Sequence, residues 1–175
     1  MSTESKACPG CGAHFSKSDT SFHRYGVASS GCWQAFNELL AHERETWSYP
    51  EVHRLVIDAY SVQHPQNIEL QNSLGISQRF VDASVQSVWI HLIGLYFALE
   101  EKRPLSEISK LMDQALKGGE GFEPLPPPKN RGKLTHREAP LTKDLEVYSR
   151  FAWKWAEDAW LAWSEHHDKI RQRVA

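Results

Sequence analysis

The stretch SQRFVDASVQSVWIHLIGLYFALEEK, residues 77–102, runs 26 residues without a proline, and its second half is apolar nearly all round. A helix that is apolar on every face belongs in the middle of a protein or in a bilayer. The most apolar part, residues 88–99, is too short to span a membrane and carries His91, which points to a protein interior. A central buried helix over 77–101 is expected, and the rest of the chain must cover it.

The covering elements are also legible as helices. Trp33, Phe36, Leu39 and Leu40 recur at helical spacing and predict a first helix over 31–45. Pro50 suits the opening turn of a second, over 50–63, and Pro65 ends it. Pro104 opens a shorter amphipathic helix with Ile108, Leu111 and Met112 on one face and Gly118 as its stop. Residues 119–141 hold five prolines and no period, so they read as an extended crossing. The last helix is expected from about Leu141–Asp144 to 173, with Trp153, Trp160, Trp163 and His167 as one stripe and Trp155, Ala159, Ala162 and His166 as the next. No strand alternation with hairpin turns is apparent. The expected fold is all-α, a bundle of four long helices plus one shorter helix, and 175 residues at 41% hydrophobic content suit a single domain over 1–175.

Residues 1–30 are polar, rich in Ser and Gly, and lack any period, so something must hold them to residues 31–175. The turn CPGCG aims the sulfurs of Cys8 and Cys11 at one point, and Cys32 opens the first helix. An odd count of three cysteines suits a metal or redox role better than a disulfide framework. Zinc takes four N or S ligands in a tetrahedron, which leaves one position for a histidine. His23 is the local candidate and His64 the distant one, because antiparallel packing of the first two helices puts Cys32 level with His64. The competing reading is a redox-active CxxC with Cys32 buried as a small hydrophobe.

A second polar set comprises His53, Asp58 and Tyr60 on the second helix, with His91, His166 and His167. Levelling the helices brings His53 beside His91, with His42 or Glu43 at the same end. Such a set can line a pocket for a second metal or a small-molecule ligand and supply catalytic groups. The plain alternative is that each histidine is satisfied by a hydrogen bond in the core and that Asp58 pairs with an arginine such as Arg79.

A net charge of -2 with no long single-sign block provides no footprint for nucleic acid or an anionic membrane. The amino terminus lacks the charged and then apolar pattern of a secretory signal, so a cytoplasmic protein is expected. CPGCG, SSGCW, HRLVIDAYSVQHP, SVWIHLIGLYFALE, FEPLPPPKNRGKLT and WAEDAWLAWSEHH resemble, in that order, a bacterial family of small uncharacterised proteins. The resemblance implies the same architecture and the same polar positions, and it implies no reaction. Three functional classes follow: a zinc-binding bundle whose pocket supports metal-assisted chemistry, a non-catalytic binding or regulatory protein, and a thiol redox sensor.

Overall fold

The computed structural model describes residues 5–16, 20–22, 27–117 and 121–175. Two antiparallel hairpins come first: β1 (Lys6–Ala7) with β2 (His14–Phe15), and β3 (Thr20–Phe22) with β4 (Val27–Ser29). The helices are α1 (Ser30–Trp47), α2 (His53–Gln63), α3 (Ile68–Ser73), α4 (Gln78–Leu99), α5 (Leu105–Lys117), α6 (Leu145–Ala162) and α7 (His167–Val174). The fold is all-α with two small hairpins.

The expectation of no strands is corrected by these hairpins. Strands of two or three residues are too short to show alternation, and the first hairpin is made by the turn chemistry of CPGCG. Cys8 N–H donates to Ala13 O at 2.8 Å, Gly12 N–H donates to Cys8 O at 3.0 Å, and Gly12 sits at φ 77°, a conformation open to glycine. Helix α3 is likewise an addition to the sequence reading. Asn67 caps it by accepting from Leu70 N–H, yet none of its residues is buried, so it left no apolar stripe to detect.

Helix α4 occupies the centre, packed against α2, α5, α6 and α7. By length and composition it is the one helix among the described residues able to cross a membrane; half of that window is buried inside the protein. Val85, Leu92, Ile93 and Leu95 face the core, joined by Leu55, Val56 and Ala59 of α2 and by Ala152, Trp155 and Ala156 of α6. At Gly94 there is no room for a side chain: a Cβ there would stand 2.6 Å from Asp58 Oδ2 and 3.2 Å from Met112 Sδ.

The last helix does not run unbroken to 173. It stops at Ala162, passes through a 3-10 turn at Ser164–His166 and resumes as α7. The cause is competition for backbone acceptors by side chains. Trp160 O takes the N–H of Trp163 and also His167 Nε2 at 3.0 Å, while His166 Nε2 turns away to Pro126 O at 2.9 Å. Trp163 is fully buried and donates its indole N–H to Val62 O at 3.1 Å, whereas Trp153, expected on the packed stripe, is exposed at the surface.

Gly94→Ala is expected to lower stability by about 1–3 kcal/mol through overpacking against the Asp58 carboxylate, read as a fall in the urea midpoint without a change in slope.

Candidate metal centre

Cys8 and Cys11 sit on the turn of the first hairpin, Cys32 in the first turn of α1, and His64 one residue past the end of α2. One ligand atom from each lies within 4.8 Å of every other. Cys32 Sγ is 3.2 Å from His64 Nε2 and 3.9 Å from Cys11 Sγ. A tetrahedron built on metal–sulfur bonds of ~2.3 Å and metal–nitrogen bonds of ~2.0 Å has edges of about 3.5–3.8 Å, so the spacing suits one shared ion. These four residues form a group that can hold a metal ion.

Local structure prepares each donor. His64 Nδ1 donates to Tyr60 O at 2.7 Å, which leaves Nε2 with its lone pair toward the sulfurs. Ser29 caps α1 by accepting from Cys32 N–H at 3.2 Å, and its own N–H donates to Cys8 Sγ at 3.4 Å. Gly10 between the paired cysteines lies against the His64 ring and Val27 O with no room for a side chain. Arg131 Nη1 donates to the carbonyls of Pro9, Gly10 and Gln63, clamping the turn to the end of α2. Val27 N–H closes the arrangement by donating to His64 O at 3.0 Å.

The sulfurs share charge unequally. Hydrogen bonds from Cys11 and Cys32, helped by His64, hold the Cys8 thiol far below its ordinary range. Cys11 is relieved by Cys32, but its bond to Cys8 and its burial outweigh this and push it up to about 12. The neighbouring sulfurs of Cys11 and Cys8, together with burial, drive Cys32 far up as well. In the absence of a metal the negative charge thus settles on Cys8, and a divalent cation would favour the thiolate at all three positions.

A family-model match spans residues 6–164, nearly the whole chain. The chain belongs to DUF5946, a family of unknown function. No curated protein and no solved structure matches it. Membership thus carries the resemblance read from the motifs and adds no reaction.

Of the sequence candidates in this family member, His64 takes the fourth position beside the three cysteines, and His23 lies outside the described residues. Tyr60 belongs to this same centre: its ring stacks between Phe36 at 3.6 Å and His64 at 3.9 Å, and its hydroxyl is 3.9 Å from Cys32 Sγ. Burial pushes that hydroxyl far up, so it stays a donor.

The other candidates do not share one pocket with Tyr60. His53 Nδ1 is 2.6 Å from Glu43 Oε2, and Tyr148 donates its hydroxyl to Glu43 Oε1 at 2.8 Å. His91 Nδ1 is 2.7 Å from Asp58 Oδ1, while Arg54, rather than Arg79, donates to Asp58 Oδ2 at 2.9 Å. The expected pairing of His53 with His91 is therefore corrected: each histidine has its own carboxylate. His91 lies level with Asp58 because α3 and its flanking loops separate α2 from α4, which breaks the short-connection rule used for levelling. His166 and His167 stand apart from these pairs, bonded to Pro126 O and Trp160 O.

His136 was not singled out in the sequence, although it is buried against the centre. Its Nε2 is 3.1 Å from Cys32 O and 3.8 Å from Cys32 Sγ, and Nδ1 is buried with no hydrogen bond among the described residues. Burial first, and then the nearby His64, lower this imidazole to about 4. It reaches the centre from the crossing, and a lone histidine in a Pro-rich stretch carries no local sign of that.

Metal binding is expected to release about two protons at neutral pH, because Cys11 and Cys32 start as thiols and must ionise. Calorimetric titration in buffers of different ionisation enthalpy measures this number. Affinity is expected to rise with pH across the neutral range and to fall as protons compete at lower pH.

Proposed function

We propose that this protein is a zinc-binding helical bundle in which a closed Cys8, Cys11, Cys32, His64 site fastens the amino-terminal hairpins to the helices. The carrying observation is the convergence of four donors from the hairpin turn, the start of α1 and the end of α2 within 4.8 Å. The donor set is that of structural zinc, with four protein ligands and no position left for water. A closed site of this kind contributes folding energy and order, and the hairpin strands are too short to persist alone. Zinc is here an organiser of a single domain, and it positions the crossing through His136 and Arg131. The three thiols are free of disulfides, which suits a reducing compartment and supports a cytoplasmic location. With a net charge of -2, no nucleic-acid or membrane partner is proposed.

Purified protein is expected to carry about one zinc per chain, the stoichiometry of one four-ligand site. Cys8→Ser with Cys11→Ser should lose the metal and expose the hairpins to protease while helical circular dichroism is retained. Zinc retained in that double variant, or protein isolated metal-free with a reversible Cys8–Cys11 disulfide, would support the redox sensor instead.

A second reading is favoured by the two carboxylate–histidine pairs. Glu43 and Asp58 are fully buried, and since a carboxylate only accepts, His53 and His91 donate to them from Nδ1. The side chains of His53 and His91 are 30% and 17% exposed, and among the described residues neither Nε2 makes a hydrogen bond. An imidazole oriented in this way has the form of a general base for a small-molecule substrate. Diethyl pyrocarbonate is expected to modify His53 and His91 faster than a free histidine derivative, and Glu43→Gln to slow His53. Rates equal to or below that of the free derivative would mark both as satisfied structural histidines.

A further inference from the structure

The imidazole of His136 is 4% exposed and sits among aromatic side chains. Phe15 stacks on it at 5.6 Å, Tyr60 and Phe36 meet it edge-on at 5.4 and 5.7 Å, and Trp155 lies at 6.2 Å. A phenylalanine would suit such surroundings without burying a polar atom. The histidine instead buries Nδ1 with no hydrogen bond among the described residues, which is costly. What offsets that cost lies at the other nitrogen. Nε2 is 3.1 Å from Cys32 O, and a carbonyl oxygen only accepts, so Nε2 carries a proton. The same N–H has a second acceptor in Cys32 Sγ at 3.8 Å, a three-centre arrangement on one residue. The turn that carries the ring is fixed by its capping box, in which Glu138 Oε2 accepts from Thr135 N–H at 2.8 Å and from Thr135 Oγ1 at 2.7 Å.

We propose that His136 is a positioning residue of the metal centre, donating Nε2–H to the metal-bound sulfur of Cys32, a role that rests on the four-donor zinc site proposed above. The two acceptors of this N–H differ in how they respond to a metal. A thiol sulfur accepts weakly, so while Cys32 is protonated the carbonyl holds the proton. A metal-bound thiolate is charged, and hydrogen bonds to charged acceptors are the stronger ones, so a loaded site draws the same N–H toward Sγ. Tyr60 brings its hydroxyl to this sulfur at 3.9 Å from α2, and Cys8 receives the N–H of Ser29 at 3.4 Å. Such donors spread the charge of three thiolates on one divalent ion and orient them, the task of the outer partners of a metal site. Through His136 the Pro-rich crossing, which supplies none of the four ligands, contributes to holding the ion.

The test uses the full chain with its metal replaced by an NMR-active cadmium isotope or by cobalt. With cadmium bound, the Nε2 proton of His136 is expected as a slowly exchanging ring signal with scalar coupling to the metal through Cys32 Sγ. A ring bonded to the carbonyl alone does not show that coupling. With cobalt bound, His136→Phe should move the sulfur-to-metal charge-transfer band to longer wavelength, because a thiolate relieved of a hydrogen bond gives up electrons more readily. The same variant should weaken metal binding about tenfold. His136→Gln, which keeps an N–H donor, should return the band toward its original position. Where His136→Phe fails to fold, the coupling in the unaltered chain decides. A chain that takes up no cadmium on its cysteines removes the zinc site and this role together. Cadmium held by all three cysteines with no coupling to His136, or a cobalt band unchanged in His136→Phe, overturns the role of His136 alone.

Discussion

The approach of Cys32 to His64, 3.2 Å between sulfur and nitrogen, depends on how α1 lies along α2. At the opposite end of the same two helices Glu43 meets His53 at 2.6 Å, so the pair is antiparallel and tied at both ends. One tie is a soft donor pair and the other a hydrogen bond from an imidazole to a buried carboxyl group, and between them Phe36 stacks on Tyr60. Sliding α1 by one turn would break all three contacts together. The hairpin bearing Cys8 and Cys11 only has to close over a half-site that the helices have already formed. This makes the helix pair the foundation and the amino-terminal segment its dependent.

The Pro-rich crossing follows from the same foundation. Among its described residues only one 3-10 turn, His136–Glu138, is regular, so most of its backbone groups need partners from elsewhere. Gln63, at the end of α2, donates through Nε2 to Arg131 O and Leu134 O and accepts from Trp155 Nε1 at 3.0 Å. Asp158 of α6 receives the N–H groups of Lys133 and Leu134, and Gly132, at φ 108°, leaves the space for its carboxylate. Thr135 and Glu138 form a capping box that holds His136 in place against Cys32. A segment with little regular structure thereby becomes part of the wall of the metal centre.

Two kinds of polar burial coexist here. Around the sulfurs, backbone donors, aromatic rings and the Arg131 guanidinium surround a cluster whose charge an ion would settle. In the helices, Glu43 and Asp58 are ionisable groups removed from water, each held by two hydrogen-bond donors, an arrangement whose desolvation cost is met only while both partners stay in place. Tyr148 remains a donor because burial, and then the Glu43 charge, push its hydroxyl far up. Gly94 belongs to this economy of space, since α4 must come close enough for His91 to reach Asp58.

The helices other than α3, the buried character of α4, the crossing, and the gathering of Cys8, Cys11 and Cys32 were legible in the sequence. Apolar spacing and turn residues act between neighbours within a turn or two, and the Pro-Gly between Cys8 and Cys11 is a local turn signal of that kind. The choice of His64 beside the three cysteines, the separate pairing of His53 with Glu43 and His91 with Asp58, the break after Ala162, and the arrival of His136 and Arg131 at the metal centre came only with the tertiary structure. Each depends on the rotation and axial offset of packed helices, or on where a loop without periodicity crosses them. Those quantities are set by the sum of many distant contacts, and no stretch of neighbouring residues records them.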